Sequence, residues 1–161
     1  MKSYRDQGAI GAILDEYKKA LTELENVISN LSDTDLTVIV DYATPDPDCK
    51  SIQTILTHVI RSGYCYVIEI RKSLGENIDF IERKKLNSVE AYKKALRDMF
   101  RYNEQFFKDY PNIQIEELHS EKKILVNWGQ LYDIEQLFEH AIVHILRHRR
   151  QIERFKLQLK S

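Results

Sequence analysis

The sequence predicts an all-α protein: a single four-helix bundle with long connections over residues 1–161. Three observations carry this. Four segments repeat apolar residues at three- and four-residue steps, the period of a helix with one buried face. Five glycines and three prolines are too few turn formers for many short strands. The length, with 43% hydrophobic residues, suits one domain with its own core.

The first helix is expected from roughly Tyr4 to Leu31, where Ile10, Ile13, Leu14, Tyr17, Leu21, Leu24 and Ile28 keep the period. Residues 32–49 follow as a loop rich in turn formers, with Pro45-Asp46-Pro47-Asp48 at its end. Within it, Leu36-Thr37-Val38-Ile39-Val40 reads as a short extended piece. The second helix is expected over Lys50–Leu74, with Asp48 or Ser51 as N-cap and Gly75 as the stop. The third runs over Val89–Tyr110, opened by Ser88 and ended by Pro111. Residues 111–130 include Lys123-Ile124-Leu125-Val126-Asn127-Trp128-Gly129, which reads as a small hairpin or strap. The fourth helix, roughly Leu131–Leu159, is the longest clean pattern. Two of these connections exceed what a minimal up-down bundle needs, so a crossover or a lid is expected.

With 30% charged residues and a net charge of −1, the chain has no global pull toward nucleic acid or an anionic membrane. Local basic stretches such as Arg147, Arg149, Arg150 and Arg154 are set against acidic ones elsewhere. No apolar run is long enough to span a bilayer, and the polar Met1–Asp6 segment lacks a signal peptide's apolar region. The expectation is a cytoplasmic protein whose two cysteines, Cys49 and Cys65, stay reduced.

Three of the five histidines fall at His140, His144 and His148. A lone histidine is more often an ordinary core or surface residue, but four-residue steps place imidazoles on one helix face, where pairs can chelate one ion. Taking about 100° per residue, the apolar stripe of Ile134, Leu137, Ala141, Ile145, Ile152 and Phe155 contains His148 and has His144 at its edge. His140 lies toward the polar side. A buried imidazole pair is costly unless partnered, and a shared metal would partner it. The third ligand should come from a neighbouring helix, and His58 sits at the edge of the second helix's apolar stripe. His119 falls in a loop. Glu69 and Gln151, near the histidines on their wheels, are candidates to orient them, with His140 a further outer candidate. As ordinary polar boundary residues they would be equally unsurprising.

Rival chemistries have little support. His140-Ala141-Ile142-Val143-His144 has the zincin spacing, but Ala141 stands where the general-base glutamate belongs. There is no phosphate-binding glycine loop and no nucleophile elbow. Cys65 is better read as a packing residue than as a nucleophile.

Two segments resemble the DinB-like (DinB/YfiT) superfamily. Ser51-Ile52-Gln53-Thr54-Ile55-Leu56-Thr57-His58 is similar to the start of that family's second helix, which ends in a ligand histidine. His140 to Ile152 is similar to its last-helix signature, where two histidines four apart precede Arg-x-Gln and an aliphatic residue. Arg150 stands where family members often have glycine. The resemblance implies up-down-down-up connectivity, a long crossover and a divalent metal on His58, His144 and His148. It also implies a homodimer. For activity it implies a transferase or isomerase that uses a low-molecular-weight thiol such as bacillithiol or mycothiol. Fold does not fix function. The alternative is a non-catalytic stress-related or interaction module with a structural or vestigial metal. Imidazole ligands suit Zn²⁺, Ni²⁺ and Fe²⁺ alike. For the dimer, Ile60, Val67, Ile142 and Leu146 fall beyond the core stripes and offer a second apolar face. Small-molecule thiol and electrophile are the expected partners, not nucleic acid or membrane.

Overall fold

A computed structural model describes residues 4–160 of the chain. Four helices make up its body: α1 (Gly8–Ile28), α2 (Ile52–Ser73), α3 (Val89–Asp109) and α4 (Ile134–Leu159). Before α4, strands β1 (Ile124–Leu125) and β2 (Leu131–Tyr132) form an antiparallel hairpin, with Ile124 opposite Tyr132. This is the strap expected over 123–129.

The helix ends follow from local chemistry. Ser51, not Asp48, caps α2: its hydroxyl accepts from the Thr54 amide, and the Thr54 hydroxyl accepts from the Ser51 amide. This reciprocal pair satisfies two otherwise unpaired donors. Gly75, at φ +91°, ends α2 in a conformation that a Cβ would disfavour. Ser88 caps α3 through the Ala91 amide. α4 begins at Ile134 rather than near Leu131, because Leu131 and Tyr132 are taken up by β2 and Asp133 caps the helix together with Gln136. The expected extended piece at 36–40 is not a strand. Leu36 lies in a turn with its side chain fully buried, and its carbonyl accepts from the Gln53 amide at 2.8 Å. The Val40 amide donates to the Lys50 carbonyl. The segment's two ends pair with residues that open α2 while Val38 and Ile39 are exposed to water, so no partner strand is needed.

α1 packs on α3 and α4, and α2 packs on α3 and α4. Each long connection, 29–51 and 110–133, therefore joins helices that are not principal neighbours. Contacts between α2 and α3 advance together along both chains: Thr57 with Tyr92, Gly63 with Asn103, Arg71 with Asp109. Between α2 and α4 they run oppositely, His58 meeting His148 while Tyr66 meets His140. α1 against α3 is also opposed, with Arg5 on Glu104 and Glu25 on Arg97. α1 and α4 advance together, Tyr17 with Phe138 and Glu23 with Arg149.

Tyr17, Tyr92, Phe106 and Phe138 are the largest fully buried side chains of the core. Burying a large apolar side chain contributes roughly 1.5–3 kcal/mol. Gly63 lets α2 approach α3 closely; a Cβ there would lie 1.7 Å from Met99 Sδ. The expected second apolar face does not form as drawn. Val67 is fully buried, and Ile60, Ile142 and Leu146 are partly buried against the core. Val143 and Leu157 are the exposed apolar residues of α4. No helix among the described residues is long and apolar enough to cross a membrane.

Candidate metal centre

The antiparallel packing of α2 on α4 brings His58 opposite His144 and His148. One ligand nitrogen from each lies within 4.8 Å of the others. His144 Nε2 is 2.9 Å from His58 Nε2 and 3.2 Å from His148 Nε2. His148 is buried at 4% exposure, while His58 and His144 are partly buried.

The outer nitrogens of two rings are held by neighbours. His58 Nδ1 lies 3.1 Å from Asp48 Oδ2, and the other carboxylate oxygen of Asp48 accepts from Arg83. His148 Nδ1 lies 3.0 Å from Gln151 Oε1. An acceptor oxygen at Nδ1 fixes the proton there and leaves Nε2 as a bare lone pair. His58 and His148 thus both present lone pairs to His144, which has at most one Nε2–H to offer. Three converging nitrogens with one proton between them leave an unsatisfied N···N approach, and a cation resolves it. The distances fit. Two nitrogens each about 2.0–2.1 Å from one Zn²⁺-sized ion lie roughly 2.9 Å apart at a right angle and roughly 3.3 Å apart at the tetrahedral angle.

The electrostatics keep the rings neutral. Burial, helped by the other histidines, pushes His144 down to about 2. Burial pushes His148 down to about 4, against the opposing bond to Gln151. Burial also lowers His58, opposed by the Asp48 and Asp46 carboxylates. Neutral imidazole is the form that binds a metal.

The remaining expected residues separate. Gln151 lies against His148 through its side-chain oxygen. His140 stacks 6.4 Å from His144, and its Nδ1 lies 3.2 Å from the Tyr132 hydroxyl. Glu69 does not orient a histidine; its carboxylate accepts from the Asn127 amide in the hairpin. It is eleven residues beyond His58, about 16 Å along the helix, and a wheel projection discards that rise. His119 is exposed in its loop, and Cys65 is buried without a described hydrogen bond.

Asp48 and Cys49 escaped the sequence reading as site residues. They sit in a short 3₁₀ turn, Pro47–Cys49, which lies against the centre. Cys49 Sγ is 3.4 Å from Asp46 Oδ2 and 3.8 Å from Gln151 Oε1. Burial raises the Cys49 thiol's pKa. The only available signal was the run Pro45-Asp46-Pro47-Asp48 immediately before the helix that carries His58. At the other end, Trp128 stacks on His140 at 5.6 Å, and Tyr66 meets His144 edge-on at 5.9 Å. The two long connections therefore flank the histidine row from opposite ends. A separate cavity of about 550 Å³, lined by Glu69, Lys72, Glu116, Lys123 and the hairpin, includes none of the three imidazoles.

The three-histidine group contains no cysteine or carboxylate ligand among the described residues. Three protein ligands leave positions on an ion free for water or substrate. Neither the scan of protein-family models nor the search of curated proteins finds a match to this chain.

Proposed function

We propose that the protein binds one divalent transition-metal ion, Zn²⁺, Ni²⁺ or Fe²⁺, on His58, His144 and His148 and uses it for thiol chemistry on a small electrophile. The observation that carries this reading is the convergence of the three Nε2 atoms with only one proton available between them. Such an ion would lower the pKa of a bound thiol or water and supply a nucleophile at neutral pH. Three neutral ligands leave the ion's double charge intact, which favours an anionic thiolate over a neutral thiol. In the transfer, the thiolate sulfur forms a bond to an electrophilic carbon while that carbon's bond to its leaving group breaks. The thiol's proton passes to solvent.

The chain's own groups do the positioning. Asp48 and Gln151 hold two rings by Nδ1, and Trp128 with Tyr66 offers an aromatic wall beside His140 and His144. DinB-like membership and up-down-down-up connectivity are part of the same proposal. Support comes from the parallel α1–α4 and α2–α3 contacts combined with the antiparallel α2–α4 and α1–α3 contacts. A homodimer and a cytoplasmic setting belong to it as well. Light scattering that finds only monomer from micromolar to near-millimolar concentration removes the dimer.

The test begins with metal analysis of protein purified without chelator or nickel resin. Physiological thiols are then assayed with model electrophiles using metal-loaded, metal-stripped and His58→Ala protein. Activity confined to the first supports the reading. Equal rates in all three would sink it and leave a binding module with a structural metal.

A further inference from the structure

Glu69, near the end of α2, is a carboxylate with only 8% exposure. Its Oε1 accepts from the Asn127 amide of the hairpin at 3.3 Å. A carboxylate has about four acceptor sites, and this bond uses one. Glu69 has no ion pair among the described residues, and its Oε2 accepts no hydrogen bond there. Yet Oε2 is not one of the sealed, unpartnered atoms, which are Arg71 Nε, Tyr102 Oη, Asn103 Oδ1 and Arg149 Nε. It is therefore reachable from the 550 Å³ cavity that Glu69 lines. Burying a carboxylate without a cation is costly, and a cation in the cavity would remove that cost.

The cavity is built from five stretches of chain: the end of α2, the connection at 114–117, the 3₁₀ turn that holds Lys122, the hairpin, and the start of α4. Its size is that of a site for a small molecule. Leu74, Ile115 and Ile124 give it apolar wall. The other charged groups have partners or face water. Lys123 Nζ donates to Gln136 at 2.9 Å and lies 3.6 Å from Asp133. Lys72 Nζ donates to the Ile78 carbonyl at 3.4 Å and lies over the Phe80 ring. Lys122 is exposed. The start of α4, whose positive dipole end would attract an anion, is already covered by Asp133, which accepts from the Gln136 and Glu117 amides. The group left to meet a ligand is the Glu69 carboxylate.

We propose that this cavity binds a small organic cation, a primary alkylammonium. Its charge lies on Glu69, and its aliphatic stem lies along Leu74, Ile115 and Ile124. An ammonium offers three donors to the open acceptor sites of Glu69, and hydrogen bonds between two charged groups are the strong ones. The site is separate from the three imidazoles and does not depend on a metal there.

The experiment is an amide-detected NMR titration of the full chain with butylamine, with neutral butanol and with butyrate. Wild type is compared with Glu69→Gln, which keeps an acceptor for the Asn127 amide and removes the charge. The second variant is Gln114→Trp, a substitution at an exposed wall position that narrows the cavity. Circular dichroism checks the fold, and Gln114→Trp decides if Glu69→Gln does not fold. The expected result is saturable shifts with butylamine at the amides of Glu69, Ile115, Ile124 and Asn127. Each variant should weaken binding at least about tenfold. Equal affinity in wild type and variants overturns the proposal. So does butanol or butyrate binding as tightly as butylamine, a shift pattern centred elsewhere, or no saturable shift at all. Zinc content is measured on every sample; its absence from the wild type would sink the metal reading alone, and the amine titration would still decide this site.

Discussion

Removing the metal should expose a pH dependence that the histidine cluster builds into the fold. His148 is 4% exposed, and its pKa falls from 6.5 to about 4 through burial. The folded-state value lies below the unfolded one. Between them the unfolded chain holds the extra proton, so stability rises with pH through this window. It is complete above about pH 6.5 and is lost as the pH falls toward about 4. A drop of about 2.5 pKa units at 1.36 kcal/mol each is worth about 3 kcal/mol by the acid end. That is a large part of a domain's usual 5–15 kcal/mol. The perturbation is His148→Gln, which removes this titration and also relaxes the smaller shifts that the His148 charge imposes on His144 and Asp46. The assay is urea unfolding of chelator-treated wild type and variant across the window. Carboxylates away from the centre respond alike in both proteins and cancel in the difference; Asp46, which faces His148, contributes only a minor remainder. The wild type should lose roughly 3 kcal/mol more than the variant between neutral pH and pH 4. Parallel curves, differing by less than about 1 kcal/mol in that loss, would refute the reasoning.

Metal analysis should find that His58→Ala, His144→Ala and His148→Ala each lose most bound metal, while His140→Ala keeps it; the reverse pattern for His140 and His148 would mean that the ligand set is misassigned. Gln151→Leu removes the acceptor at His148 Nδ1 and should weaken metal affinity roughly 10- to 100-fold without abolishing binding, as measured by chelator competition. Gly63→Ala places a methyl carbon against the buried Met99 and should cost about 1–3 kcal/mol in thermal or urea unfolding. An unchanged melting temperature would mean that the α2–α3 contact is looser than described.

The sequence by itself determined where the helices are and which face of each is buried. Apolar spacing is local, and the caps that stop a helix lie within a few residues of its ends; Gly75 and Ser88 could be read directly, and the cap of α2 narrowed to Asp48 or Ser51. His144 and His148 were legible as a pair because one helix presents both on one face. His58 could be placed only at the edge of a stripe. Its meeting with His144 depends on α2 and α4 packing side by side in opposite directions, which no local pattern encodes. The helical wheel ranked by angle and lost the axial rise, so it grouped Glu69 with the histidines although the residue serves the hairpin. Val67, too, was assigned an outward face from its own helix alone, and neighbouring elements bury it completely. Asp48, Cys49 and the extended-looking segment at 36–40 lie in a loop, where no periodicity fixes direction. Tertiary contacts alone decided that this loop folds over the start of α2 and sets a carboxylate against His58.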